Sequence, residues 1–513
     1  MSETRLFMDW IDVDKGGIHS TLDAERVSDE GWRIMERNKK TWGLHADLSG
    51  HGMKGHRVPH GVRITIEKAR KSGPWLKQDR AWEKRIYFIT VIHEGGKYRC
   101  WYGVELPRPR GAGNSSAQDL DKDLWAAFNR AGLCYAESED GMHWTKPELG
   151  LIEFEGMKNN NIVSTLDMVN SAVFRDDSGA PEERYKAFVW DRLNDEPYRA
   201  DYGLFGAFST DGYEWTRTSE PLLPYFHDTH NVACWDAERQ KYVGYFRHHL
   251  GGRAISYAET DDFRQWPETE IIAHAGPLDD ADVDYYTNCF VRYPGLPAVK
   301  LLFPAMYHHA SDQLDVRLAV TYNGKAIKWV SHDPIIEVGE PGAWDGGRIY
   351  ACPELVRLPD GRLAMPYLGV NATHNESAFV QFYEEGHDLR SGHGWAIWDE
   401  GRIAGIEASN QGEFWTQPTC CSGGGIEINA RTTRSGSVEA ELWDCEAGGN
   451  PIPGYTLEAC TAFCGDEIWT PLRWKGKADL SELKGKTFQL RIRLRSAKIF
   501  GYRQVSESGA ESS

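Results

Sequence analysis

Two short stretches of this chain concentrate side chains that can move protons. His227-Asp228-Thr229-His230-Asn231 stands directly before the apolar run Val232-Ala-Cys-Trp-Asp236. Asp279-Asp280-Ala-Asp282-Val-Asp284-Tyr-Tyr-Thr-Asn288 stands in the same way before Cys289-Phe-Val-Arg-Tyr293. A carboxyl group at the head of a strand serves as nucleophile or base when charged, and as acid when its surroundings hold the proton. With 76 acidic residues in the chain, position has to do the selecting. Position singles out Asp228 and Asp284; Asp279 and Asp280 read as a solvated loop, or a Ca²⁺-binding one. Histidines gather at comparable places: His227 and His230, His248-His249 after Tyr245-Phe-Arg247, His308-His309 after Ala305-Met-Tyr307, and His374 after Gly369-Val-Asn-Ala-Thr373. Three imidazoles with a carboxylate would make a divalent metal site. Neutral imidazole is also a hydrogen-bond partner for hydroxyl groups. That second use makes His230, Asn231, Arg247, His248, His308 and His374 the expected ligand contacts.

A recurring phrase supplies the frame. Ser138-Glu-Asp-Gly-Met-His-Trp144 is repeated as Ser209-Thr-Asp-Gly-Tyr-Glu-Trp215, with echoes at Thr260-Asp-Asp-Phe-Arg-Gln-Trp266 and Thr321-Tyr-Asn-Gly-Lys-Ala-Ile-Lys-Trp329. Each follows a strand-like run such as Leu133-Cys-Tyr-Ala-Glu137 or Leu204-Phe-Gly-Ala-Phe208. Asp-Gly or Asn-Gly gives the positive φ of a tight turn, and the tryptophan anchors the return strand. Recurrence at intervals of about 50 to 70 residues suits a four-stranded sheet with its loops, the mark of a β-propeller. The phrase belongs on the outer hairpins of blades, so Asp140 and Asp211 read as structural. It indicates which strands are innermost, and so which acids face the axis.

The pattern divides the chain. Residues 1–80 are partly irregular, with a helix expected near Asp23–Lys40, and are expected to contribute to propeller closure. Strand-turn-strand units fill 81–400, with a short helix or insertion at Ser116–Asn129. Period-two alternation in Gly423-Gly-Gly-Ile-Glu-Ile428, Ser437-Val-Glu-Ala-Glu-Leu-Trp443 and Phe488-Gln-Leu-Arg-Ile-Arg-Leu494 makes 401–503 a β-sandwich. Residues 504–513 read as a disordered tail. The fold class is all-β.

Composition excludes several partners. A net charge of −18 opposes nucleic acid and anionic membranes. The opening residues lack a basic segment followed by an apolar run, so a cytoplasmic protein is expected. Ten cysteines without CxxC pairs read as free thiols. There is no G-x-S-x-G elbow, GxGxxG or Walker loop.

With its propeller turns and terminal sandwich, the chain resembles the five-bladed glycoside hydrolases of families 32, 43 and 68 and their uncharacterised bacterial relatives. Leu6-Phe-Met-Asp9, Pro181-Glu-Glu-Arg-Tyr-Lys186, Lys241-Tyr-Val-Gly-Tyr-Phe-Arg247 and Trp344-Asp-Gly-Gly-Arg-Ile-Tyr350 carry the likeness to the relatives. The resemblance implies a five-bladed propeller followed by a C-terminal β-sandwich. It also implies three further acids. Asp9 takes the place of a first-blade carboxylate. Val173-Phe-Arg-Asp176-Asp177 is similar to the Arg-Asp-Pro strand, without its proline. Ala351-Cys-Pro-Glu354 is similar to the Glu-Cys-Pro strand, with alanine at the family's glutamate.

The activity so implied is hydrolysis or transfer of a glycosidic bond, with a furanoside as the suggested sugar. Asp9 or Asp228 would be nucleophile or base, Glu354 or Asp284 the acid, and Asp177 a residue orienting the sugar. Two alternatives stay open: a metal-dependent lyase or isomerase using the histidines, and a non-catalytic carbohydrate-binding propeller. The expected partner is a carbohydrate, and the sandwich is where chains would associate if they do. No cofactor is expected to be required, with room for a structural divalent metal such as Ca²⁺ on the propeller axis.

Overall fold

The computed structural model describes residues 3–14, 59–106, 131–193, 202–225, 227–376, 388–445 and 450–505. The helices expected near Asp23–Lys40 and at Ser116–Asn129, and the tail beyond residue 505, lie outside the described residues. Gln504 and Val505 end a strand.

The chain divides into two units. One is Lys68–Asp399; the other joins Met1–Glu67 to Glu400–Ser513. The first is a ring of five antiparallel sheets, ordered from the inside outward. Blade 1 comprises Arg85–Glu94, Lys97–Glu105, Ala131–Ser138 and Ile162–Ser164. Blade 2 comprises Phe174–Arg175, Tyr185–Arg192, Tyr202–Ser209 and Thr216–Arg217. Blade 3 comprises Val232–Asp236, Lys241–His249, Arg253–Thr260 and Glu270–His274. In blade 4 the inner strand is Val283–Thr287 continued by Phe290–Tyr293, and the second is Leu296–Leu302 continued by Ala305–His308. Gln313–Thr321 and Ile327–Ile336 complete it. Blade 5 runs from Arg348–Ala351 through Leu363–Val370 and Ser391–Trp398. Its outer strand comes from the other end of the unit, where Arg70–Lys71 and Leu76–Lys77 pair with Ser391–Trp398.

The recurring phrase fixes the blades by local chemistry. Ser138 Oγ accepts the Gly141 N–H at 2.8 Å, and Asp140 Oδ1 accepts the amides of Met142 and His143. The second copy repeats this with Ser209, Gly212 and Asp211. Each copy then receives a donor from the preceding blade. Trp395 Nε1 of blade 5 donates to the Gly141 carbonyl at 2.8 Å, and Trp101 Nε1 of blade 1 to that of Gly212 at 2.6 Å. The Tyr245 hydroxyl of blade 3 donates to the Gly324 carbonyl of blade 4 at 2.9 Å. The phrase therefore clamps neighbouring blades as well as turning the chain.

The second unit is one nine-stranded sheet around Ala404–Thr416, Gly425–Asp444 and Thr487–Val505. Burial alternates through Leu490, Ile492 and Leu494, then shifts parity to Ala497 and Ile499 across a bulge at Arg495–Ala497. Both halves of each long strand contribute to one apolar cluster, the packing that a two-layer sandwich requires. Thr4–Leu6, Val13–Asp14 and Arg63–Ile66 pair into this sheet. The expected N-terminal contribution to propeller closure is thus divided: residues up to Glu67 belong with the sandwich, and only the two short strands from Arg70 to Lys77 serve the ring.

All ten cysteines are unpaired, including the neighbours Cys420 and Cys421. Among the described residues no helix is long and apolar enough to cross a membrane.

Candidate active site

Three inner strands begin alike. Asp167-Met-Val-Asn170 leads into blade 2, Asp228-Thr-His-Asn231 into blade 3 and Asp284-Tyr-Tyr-Thr-Asn288 into blade 4. The asparagines tie these heads together. The Asn231 N–H donates to the Asn170 carbonyl at 2.8 Å, and its side-chain Nδ2 to the Asp228 carbonyl at 2.9 Å. Asn288 Nδ2 donates to the His230 carbonyl at 2.7 Å. Ser171 and Asn231 form a parallel bridge, so the strands enter the ring in the same sense. Three carboxyl groups therefore stand at one end of the axis.

Their surroundings differ. Asp228 Oδ2 meets Arg247 Nη1 at 3.4 Å. Asp284 Oδ2 meets Arg253 Nη1 at 3.0 Å and His309 Nε2 at 3.1 Å. Among the described residues no such cation pairs with Asp167. It is set deep among protein atoms while partly exposed, as at the base of a pocket, and burial, reinforced by nearby Asp191, pushes its carboxyl up to about 7. Its remaining support is a 3.4 Å hydrogen bond from the Val169 N–H.

Second strands end where inner strands begin, and they bring the walls. The Tyr286 ring lies 4.3 Å from the Arg247 guanidinium and 4.7 Å from that of Arg253. His374 Nε2 bonds the Tyr286 hydroxyl at 2.8 Å, and its ring lies 4.8 Å from that of Tyr307. Burial, with Arg348 and Arg253 nearby, lowers His374 to about 4, so at neutral pH it is an uncharged hydrogen-bonding group. Beneath these residues the His230 ring stacks on Phe88 of blade 1 at 4.2 Å, and Phe88 meets Tyr350 of blade 5 at 5.5 Å. This aromatic floor closes the axis.

The other expected site residues fall elsewhere. Asp9 belongs to the sandwich unit, where its Oδ1 accepts the Ile11 N–H at 2.8 Å. Asp177 follows the far end of the blade 2 inner strand and pairs with Arg175 at 2.7 Å on the surface. Glu354 lies past the far end of the blade 5 inner strand, in a narrow pocket with Phe174, Cys234 and Arg292. Burial raises its carboxyl, and its φ is +81°. The positions of Asp177 and Glu354 share one cause: inner strands run in one direction, so the residues before a strand and those after it occupy opposite ends of the ring, whereas Asp9 lies outside the ring unit altogether. Asn231 is fully buried and engaged with backbone carbonyls, and His230 is a floor residue lowered to about 3 by burial. In both histidine doublets the second member is the one near an acid at the head of an inner strand. His249 shares the face of Arg247 and lies near Asp228 and Arg253, while His248 turns to the His249 backbone. His308 bonds Asp315 at 2.8 Å, which raises it above the usual imidazole range, and leaves Asp284 to His309.

The chain is similar to solved glycoside hydrolases. One structure described simply as a glycoside hydrolase has a TM-score of 0.43 at 13% identity, covering 72% of this chain and 96% of that one. An α-L-arabinofuranosidase from Podospora anserina in complex with cellotriose gives 0.42 at 12%, covering 65% and 98%. A fructofuranosidase from Schwanniomyces occidentalis complexed with fructosylnystose gives 0.37 at 9%, covering 86% and 98%. No family model and no curated protein matches the chain. At these scores the chemistry has to be argued from the site.

Asp228, Asp284, Arg247 and His374, singled out from the sequence, come together here with Asp167, Arg253, Tyr286, His309 and Arg348, which were not. The repeated Asp-x-x-Asn, lengthened by one residue at Asp284, was the signal that would have found Asp167. Among the described residues no three His, Cys, Asp or Glu side chains are grouped to hold a metal ion. What the heads of the strands offer is one carboxyl raised by burial and two that meet arginines.

Proposed function

We propose that the propeller cleaves, or transfers across, a glycosidic bond. One observation carries this reading: Asp167, Asp228 and Asp284 head consecutive inner strands in contrasting surroundings, one carboxyl retaining its proton to about pH 7 and two facing arginines. Glycoside cleavage asks for such a division, with an acid for the leaving oxygen and a carboxylate for the anomeric carbon or for the attacking water. In this assignment Asp167 protonates the leaving oxygen as the bond to the anomeric carbon breaks. Asp228 attacks that carbon, or takes a proton from the water that does. Asp284, held by Arg253 and His309, positions the sugar. Tyr286, Tyr307 and His374 supply a face and hydroxyl-directed hydrogen bonds. The furanoside rests on family resemblance alone, and no residue of the pocket singles out a five-membered ring.

The test is a panel of oligosaccharides and aryl glycosides offered to the wild-type chain and to Asp228→Asn. Release of reducing sugar or phenol by the wild type, lost in the variant while substrate still binds, is the expected result. Binding without turnover by the wild type across the panel would make the propeller a carbohydrate receptor instead.

A further inference from the structure

The pocket wall contains guanidinium groups that the surrounding carboxylates leave partly unengaged. Arg348 is 9% exposed and gives Nη1 to the backbone carbonyls of Ala372, at 2.6 Å, and Thr373. Among the described residues no carboxylate pairs with it. Arg247, 2% exposed, spends Nη1 on Asp228, and its Nε and Nη2 are buried without a hydrogen-bond partner. The two arginines meet around Tyr350, whose hydroxyl is within reach of Arg348 and in the field of Arg247. Among the described residues, two other acids of this wall are occupied. Asp284 serves Arg253 and His309, while Asp312 accepts from Thr373, Asn375 and Tyr307.

A buried cation without a counter-ion is strongly unfavourable, and buried guanidinium nitrogens without acceptors add to that. An anion drawn in between Arg348 and the buried, unpartnered Nε/Nη2 edge of Arg247 would relieve both. The planar fork of arginine matches a carboxylate in particular. We propose that the pocket selects a sugar bearing an anionic group, a uronic acid carboxylate foremost, seated between Arg348 and Arg247 beside the Tyr350 hydroxyl. The inference rests on the glycosidase reading for the sugar and on the arginines for the charge. A sulfate ester offers the same charge in tetrahedral form and is separated by experiment.

The experiment is equilibrium binding, independent of turnover. Galacturonate and glucuronate, galactose 6-sulfate and glucose 6-sulfate, and neutral galactose and glucose are titrated into the full chain at low and at physiological salt. An acidic sugar is expected to bind at least about tenfold more tightly than its neutral counterpart, with the preference shrinking as salt screens it. Arg348→Gln should abolish the preference and Arg348→Lys restore part of it. Preference for the sulfated sugars over the uronates would keep the anion site and change the anion. Equal binding of acidic and neutral sugars, no binding of any acidic sugar, or a preference undiminished in a folded Arg348→Gln would overturn the inference. Should Arg348→Gln fail to fold, a wild-type preference unaffected by salt overturns it equally. Acidic sugars that bind while no glycoside is cleaved would remove the hydrolase reading and leave this one. Cleavage of neutral glycosides without acidic preference would do the reverse.

Discussion

Gly252 stands against Asp284 so closely that a β-carbon on residue 252 would lie 2.3 Å from Asp284 Oδ1. The turn between the second and third strands of blade 3 is thus shaped around a carboxylate of blade 4. Gly252→Ala has to push that carboxylate away from Arg253 and His309. Displacement by about an ångström is enough to cost on the order of a hundredfold in turnover when a group must be aligned. The expected variant is folded, with kcat/KM down by one to two orders of magnitude; full activity would separate Asp284 from the reaction.

Asp167 predicts a pH dependence and a stability effect of opposite value to the protein. If it is the acid, activity falls as pH rises through about 7, where its proton leaves. Its folded pKa is raised above its unfolded value by burial, so between about pH 4 and 7 the folded state holds a proton that the unfolded state has released. Stability therefore declines as pH rises through that window. Asp167→Asn removes the decline, and urea unfolding should find the variant more stable than wild type at pH 7, by about 1–3 kcal/mol, with the gain vanishing near pH 4. A variant destabilised equally at both pH values would contradict the buried, protonated carboxyl.

Glu354 and Asp284 separate the two ends of the ring. Glu354→Gln should retain turnover within about threefold of wild type, whereas Asp284→Asn should lose roughly a hundredfold or more. Steady-state rates on one glycoside decide it, and severe loss in Glu354→Gln would return the chemistry to the Cys352-Pro353 end.

The histidine doublets give a matched contrast. His309→Ala removes a partner of Asp284 and should lower kcat/KM by about tenfold or more, while His248→Ala should leave it near wild type. Equal effects would mean that the pocket reads both faces of these strands.

Gly212 tests the clamp between blades. Its φ is +84°, and a β-carbon there would lie 2.5 Å from Trp101 Cζ2. Gly212→Ala should destabilise the propeller by about 2–4 kcal/mol through backbone strain and overpacking, without altering KM. Denaturant midpoints and steady-state kinetics measure the two separately.

The fold was legible because its signal is local. Ser138, Asp140 and Gly141 make their turn from residues within a few positions, and the same chemistry is spelled again at Ser209, Asp211 and Gly212. Asp228 and Asp284 could be selected because polar residues crowd before an apolar run. Asp167 sits singly in Leu166-Asp-Met-Val169, and its character comes from burial and from Asp191 on the second strand, which sequence spacing does not reveal. Glu354 shows the converse case. Cys352-Pro353 drew attention to a strand that does line the axis, but to the end opposite Asp228 and Asp284. Strand direction relative to the pocket, and the parity that turns His309 rather than His308 toward Asp284, follow from three-dimensional closure of the ring.

The division of labour between Asp167 and Asp228 is tested most directly by leaving-group dependence. On a series of aryl glycosides that the wild type hydrolyses, Asp167→Asn should keep substantial turnover where the phenol is a good leaving group and lose it progressively as the phenol becomes a poorer one. Asp228→Asn should lose turnover throughout. A uniform loss across the series in Asp167→Asn, or an active Asp228→Asn, would contradict the assignment.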